Sequence, residues 1–213
     1  MSKTPTLRYY ALIAAVVGVL ALTAAACGST SKSSTHMNPK HQMAPMHESG
    51  SAPQAAGAPS GSDCGMVPAS GPGSFHGMAM QSFLAAAQSN PLLTTFASDI
   101  NQAGLAGELN GMHNFTVFAP ANDAFTKMPA NQMTMMHSPT ELAKIIKYHV
   151  VDGSITPAQI AAGKPLPTRE GDTITPSKMG AVYELNTADV ICGSFQTQNA
   201  TVYIINQVLM PKH

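Results

Sequence analysis

The chain has 213 residues, and its 11 basic and 11 acidic side chains give a formal net charge of zero at pH 7. A nucleic-acid-binding domain needs a basic field, so this balance, with 6% aromatic residues and no Trp, excludes nucleic acid as an expected partner. The length accommodates one domain of ordinary size plus an appendage.

The N-terminal segment predicts export from the cytoplasm. Lys3 and Arg8 precede an uncharged, almost wholly apolar run over residues 9–26, which ends in small residues before Cys27. This pattern is typical of a secretory signal, and small residues followed by Cys resemble a bacterial lipobox, whose cysteine receives a diacylglycerol group. We therefore predict a lipoprotein signal peptide over residues 1–26 and lipidation of Cys27. Plain secretion and a retained transmembrane anchor are the alternatives, and all three place the remaining chain outside the cytoplasm.

The two other cysteines favour the same compartment. With Cys27 lipidated, Cys64 and Cys192 remain as an even pair in an oxidising space. One disulfide between them is the expectation, and two free buried thiols are the alternative.

Residues 27–73 are rich in Ser, Pro, Gly, Ala, Met and His and contain almost no branched aliphatic residue. Such a stretch cannot bury enough apolar surface to offset its ordering entropy, so we predict a disordered tether. It carries short clusters of His36, Met37, His41, Met43, Met46 and His47. Because thioether and imidazole groups suit Cu(I), copper binding in the cell envelope is an alternative function. Flexible filling and a sacrificial role in oxidation are the competing interpretations.

Residues 74–213 show the mixed signals of one α+β domain. Periodicity and start signals predict helices over residues 79–88, 92–103, 122–125, 138–147 and 156–162. Ser138 and Thr156 each precede a proline and stand three residues before a Glu or Gln, which is the pattern of a capping box. Composition predicts strands over residues 115–119, 148–151, 165–168, 173–175, 182–185, 189–192 and 201–208.

Three motifs resemble the fasciclin family. Residues 116–125 have the sequence TVFAPANDAF and are followed by Met128-Pro129, residues 148–151 have the sequence YHVV, and residues 199–211 have the sequence NATVYIINQVLMP. Their details, with the upstream Cys64, resemble the secreted and lipid-anchored fasciclin antigens of mycobacteria and related actinobacteria. The resemblance implies a wedge-shaped β-sandwich with several packed helices and a bridge from Cys64 to Cys192.

The resemblance also singles out Tyr148 and His149, because this dipeptide is associated with adhesion in the family. The alternative is that His149 is a core histidine whose ring nitrogens bond to backbone groups. We keep both interpretations as expectations for the structure.

The sequence contains no motif typical of a hydrolase elbow, a phosphate-binding loop, a zinc protease or a dinucleotide site. We therefore predict that the protein is not an enzyme and needs no cofactor, with copper reserved for the alternative function. The leading hypothesis is a lipid-anchored fasciclin-domain protein on the outer face of the cell membrane, or partly secreted, that binds an unidentified protein or glycan.

Overall fold

The computed structural model describes residues 59–212, which form an α+β domain. The predicted signal peptide, Cys27, the six His and Met residues named for copper and the tether before residue 59 lie outside the described residues. The helices are α1 (Phe75–Ala79), α2 (Phe83–Ser89), α3 (Thr94–Gln102), α4 (Ala106–Gly111), α5 (Asn122–Thr126), α6 (Ala130–Met136), α7 (Pro139–Tyr148) and α8 (Pro157–Ala161). The strands are β1 (Phe115–Pro120), β2 (Val150–Asp152), β3 (Leu166–Pro167), β4 (Thr173–Ile174), β5 (Pro176–Met179), β6 (Val182–Leu185), β7 (Ala188–Gln196) and β8 (Ala200–Ile205).

Six of the strands form one mixed sheet, in the order β2-β1-β8-β7-β6-β5, and β3 pairs with β4. Strand β1 runs parallel to β8, while the other pairs in the large sheet are antiparallel. Strand β7 has two register shifts against β8. Between them lies Gly193, which packs against the ring of Tyr203 so closely that a side chain would displace the ring. Bulges of this kind bend a strand, so β7 bends at this position.

Two adjacent inner strands, β1 and β8, are buried on both faces. Every residue of β1 and of β8 is buried. One face, with Phe115 and Val202 as examples, packs on helices α2 to α4 and α7, and the other, with Phe118 and Tyr203, packs on α8 and the strands from β3 to β6. This arrangement explains the nearly continuous apolar sequence of both strands.

Residues 59–73 pack against the domain, although their composition suggested tether. Ser60 pairs with Gly193 on the edge of β7, a 3₁₀ turn forms at Cys64–Met66, and Val67 enters the core. As expected, Cys64 and Cys192 form a disulfide, with Cα atoms 4.9 Å apart. The folded region thus begins before residue 74, because the covalent bond and the backbone pairing hold a segment that has little apolar surface of its own.

Several helix boundaries differ from the prediction. The helix predicted over residues 79–88 corresponds to α2, which starts only at Phe83 because Ser82 takes an extended backbone conformation. Helix α1 lies before it and shares only Ala79 with the predicted range. The capping box at Thr156 forms with Gln159, whereas Ser138 makes no capping bond to α7 and Glu141 pairs with Lys144 instead. Helix α4 and strand β5 were not predicted.

Asn122 has a structural role that the sequence did not specify. Its side chain does not cap its own helix, α5. Instead its Oδ1 accepts the backbone N–H of Thr95 in the first turn of α3 at 3.0 Å, and its Nδ2 donates to the carbonyl of Pro91 at 2.8 Å. Because these bonds satisfy backbone groups at a helix start, the asparagine of the TVFAPANDAF motif fixes α3 against α5. Within α5 the buried residue is Ala124, while Phe125 and Met128 are only half-buried.

Candidate functional site

Tyr148 and His149 lie inside the protein. Tyr148 is the last residue of α7 and His149 follows it as the helix cap, so the strand predicted over residues 148–151 begins only at Val150, as β2. Both side chains are fully buried, with 0% exposure. The structure therefore presents neither side chain to a partner, and it favours the core interpretation of His149.

The hydrogen bonds of His149 define its protonation state. Its Nδ1 lies 2.8 Å from the carbonyl oxygen of Ile145, which can only accept, so Nδ1 carries the proton. Its Nε2 accepts the backbone N–H of Leu209 at 3.0 Å. Burial lowers the pKa of His149 to about 4, an effect that the bond to Ile145 partly opposes. The ring is therefore neutral and joins the end of α7 to the segment after β8.

Tyr148 makes a parallel connection to another segment. Its hydroxyl donates to the carbonyl of Thr173 at 3.0 Å and accepts from Nδ2 of Asn186 at 2.8 Å. Asn186 lies in the turn between β6 and β7 with φ of 56°, a conformation that Asn tolerates better than most residues. Burial is the main cause that raises the pKa of the Tyr148 hydroxyl. The hydroxyl therefore stays protonated, so it can donate one hydrogen bond and accept the other.

Leu209 and Asn186, the partners of these two side chains, both line an open groove of about 730 Å³. We call it the lysine-flanked groove, because Lys127 and Lys212 are its charged lining residues. Its other lining residues are Ala124, Met128, Pro129, Gln132, Thr175, Asn186, Thr187, Gln207, Val208, Leu209 and Met210. The Tyr148-His149 pair thus shapes this groove from behind, through hydrogen bonds, without entering it.

The groove was not predicted from the sequence. Lys127 follows the TVFAPANDAF motif, and Leu209 and Met210 belong to the closing motif, but the motifs gave no sign that these residues share a surface. The available signal was the Tyr148-His149 dipeptide, because its side chains form hydrogen bonds with Asn186 and Leu209, which line the groove.

Two other polar side chains, Asn199 and Asp99, lie away from the groove. Asn199, in the closing motif, is buried; its Oδ1 accepts from Phe83 N–H and its Nδ2 donates to the carbonyls of Leu109 and Met112. Asp99 has an exposed edge but one buried oxygen without a hydrogen-bond partner, and burial raises its pKa to about 6.

Two features are absent from residues 59–212. In this part of the chain no His, Cys, Asp and Glu side chains come together in a group of three suited to a metal ion. Nor does any helix there have the length and apolar character needed to cross a bilayer. The copper hypothesis rests on residues outside this range and gains no support.

Comparison with known proteins places the chain in a family. The fasciclin domain model matches residues 91–211, which is more than half of the chain. The chain is 38% identical over 174 residues to the immunogenic protein MPB70 of Mycobacterium bovis, covering 76% of this chain and 86% of MPB70. It is 36% identical over 200 residues to the cell surface glycolipoprotein MPB83 of the same species, covering 88% and 89%. The protein therefore belongs to the fasciclin domain family, as the motifs implied.

A solved structure of a FAS1 domain pair from the insect cell adhesion molecule fasciclin I also matches. It has a TM-score of 0.46 and 20% sequence identity, and the match covers 56% of this chain and 45% of that chain.

Proposed function

We propose that this protein is a lipid-anchored binding module on the outer face of the cell membrane, and that it engages a protein or glycan partner through the lysine-flanked groove without catalysing a reaction. The observation that carries the proposal is the connection of the buried Tyr148-His149 pair to two walls of an open groove. A cell-surface location is consistent with the relative MPB83, whose name describes a cell surface glycolipoprotein.

The groove has the features of a binding surface and few of an active site. Its lining combines apolar side chains with amides, hydroxyls and two lysines, and no His, Cys, Asp or Glu among the described residues lines it. General acid–base and nucleophilic catalysis most often use those four residue types, with a nucleophile or acid and its partner within hydrogen-bond reach of each other. Adhesion requires only complementary surface, which a preformed concave site supplies.

The test compares a variant that narrows the groove with one that alters a matched exposed position. Gln207 is exposed and lines the groove, so Gln207→Trp should narrow it without disturbing the core. Gln102 is exposed at the end of α3 and lies outside the groove, so Gln102→Trp is the control. Cells displaying the full chain are measured for adhesion to immobilised matrix proteins, to envelope glycans and to cells of their own kind.

We expect Gln207→Trp to weaken adhesion on at least one of these surfaces, while Gln102→Trp leaves it unchanged. Equal adhesion by both variants on every surface would show that the groove is not the contact site. Melting temperatures of both variants, measured beside the native protein, separate a loss of binding from a loss of fold.

Anchoring is tested separately at Cys27. We expect Cys27→Ser to move the protein from the membrane fraction to the soluble extracytoplasmic fraction, because two or more buried acyl chains hold a protein stably at a membrane. Mass spectrometry of the native protein should find the lipid on this residue. A Cys27→Ser variant that stays in the membrane fraction would favour a retained N-terminal anchor.

A further inference from the structure

We propose that the occupant of the lysine-flanked groove is an extended acidic peptide segment of a protein partner. This inference rests on the proposed function, since it names the class of partner for the same groove. It is argued from the charge, the hydrogen-bonding groups and the shape of the site.

The charged lining residues of the groove are both cations. Lys127 and Lys212 take part in no ion pair among the described residues, although four other pairs form elsewhere on the domain. The nearby Asp172 carboxylate accepts the backbone N–H of Lys212 at 2.9 Å and does not line the groove. The two lysines therefore place positive charge in the lining of the groove, where it can pair with carboxylates of a ligand.

The lining between the lysines suits a polypeptide backbone with side chains of varied shape. Gln132, Gln207 and Thr187 supply amide and hydroxyl groups that can donate to carbonyls and accept from N–H groups. The Thr187 hydroxyl donates to Oε1 of Gln207 across a long, exposed 3.5 Å contact, which leaves the amide N–H groups of both glutamines for a ligand. Met128 and Met210 supply adaptable apolar surface, which is typical of sites that bind peptides of differing sequence. Asn186 does not serve the ligand, because its side chain is already bonded to Thr175 N–H and Tyr148.

The shape and the lining of the groove argue against two other anionic partners, a membrane surface and a glycan. A membrane surface is nearly flat and cannot enter a concave site, so its headgroups would reach the rims but not the apolar lining. A glycan binds well where aromatic rings stack on sugars, and none of the lining residues is aromatic. A short stretch of extended chain fits an open groove and places its backbone against the amides.

The experiment uses the full chain in detergent and three pools of short fluorescein-labelled peptides. In the acidic pool Glu alternates with randomised apolar residues, and Gln or Lys replaces Glu in the other two pools. Anisotropy should show binding of the acidic pool in preference to the others, with an affinity that falls as NaCl rises. Vesicles containing phosphatidylglycerol and soluble anionic oligosaccharides form two further arms.

The variants separate a groove contact from general attraction to positive charge. We expect Lys127→Gln combined with Lys212→Gln to weaken the acidic pool by about tenfold, as the loss of two exposed ion pairs implies. Lys164 and Lys178 are exposed and lie outside the groove, so the matching double glutamine variant should bind like the native protein.

Equal loss in both double variants would overturn the inference, as would an acidic pool that binds no better than the glutamine pool. Vesicles or oligosaccharides that bind through the two groove lysines while the acidic pool does not would also overturn it. None of these results touches the adhesion test with Gln207→Trp, so the acidic-peptide inference can fail while the groove remains the binding site.

Discussion

The buried imidazole of His149 predicts a pH-dependent stability that can be isolated with one substitution. In His149→Phe the ring volume remains, but the carbonyl of Ile145 and the N–H of Leu209 lose their side-chain partner. An orphaned buried backbone group costs about 1–3 kcal/mol, so we expect the free energy of unfolding at pH 7 to fall by about 4 kcal/mol.

The same substitution removes a titration. The pKa of His149 is about 4 in the folded protein and 6.5 in its ordinary state. Above pH 6.5 neither state binds the proton, and below it the unfolded state binds the proton first, so the native protein loses stability as the pH falls towards 4. At about 1.4 kcal/mol for each pH unit, the loss reaches about 3 kcal/mol near pH 4. The phenylalanine variant lacks this loss.

The assay is urea unfolding of the native protein and of His149→Phe between pH 7 and pH 4. The difference between their free energies of unfolding should shrink from about 4 to about 1 kcal/mol across this range. Taking the difference cancels the other titrating groups. A difference that stays constant with pH would refute the argument that the fold holds this ring neutral, and His137→Phe, at an exposed histidine, controls for the loss of a histidine as such.

Three further predictions concern stability. Cys64→Ala combined with Cys192→Ala should lower the free energy of unfolding by at most about 5 kcal/mol, because the disulfide spans a sequence separation of 128. The melting temperature should fall accordingly, and reductant should lower it for the native protein but not for the variant. Asn199→Ala should cost about 3–5 kcal/mol in urea unfolding, because it leaves three buried backbone groups without partners. Asp99→Asn should stabilise the protein by about 1 kcal/mol at pH 7, after allowance for solvent screening, because it removes a partly buried charge. The pKa of Asp99 is about 6 in the folded protein and 3.8 ordinarily, so the carboxyl group becomes neutral in both states as the pH falls below 4, and the gain should vanish there.

Each of these predictions has a result that contradicts it. Reductant that further destabilises the double alanine variant would show that the disulfide is not the source of the effect. An Asn199→Ala variant as stable as the native protein would mean that water replaces the side chain. A gain from Asp99→Asn that persists at low pH would show that charge burial is not its cause.

The elements that were predicted well are those whose signals are local. Strand β1 and strand β6 follow from short apolar runs ended by turn residues, and α8 follows from Thr156, Pro157 and Gln159, whose capping bonds form as expected. Strand β5 was missed because Pro176-Ser177-Lys178-Met179 has little strand character, and its conformation comes from pairing with β6. Nothing in the sequence of those four residues indicates that they pair with β6.

The candidate site shows the same limit. The motifs led to Tyr148 and His149, but the β-branched residues that follow led to a predicted strand over residues 148–151. Helix α7 continues through Tyr148 because Leu142, Ile145 and Tyr148 share its buried face. The groove is lined by residues from four separate parts of the chain, 124–132, 175, 186–187 and 207–212. No local sequence pattern could therefore predict it.

The parallel pairing of β1 with β8 has a consequence for how the domain acquires its fold during synthesis. The register joins Phe115 to Ala200, so the middle of the sheet cannot close until almost the whole described chain has emerged. This pairing is strongly non-local, and topologies rich in such pairings fold slowly compared with helical bundles. Until β8 has emerged, β1 has only the short strand β2 as a neighbour. A chain truncated before residue 200 would therefore be left with an unpaired edge on β1, on the side away from β2.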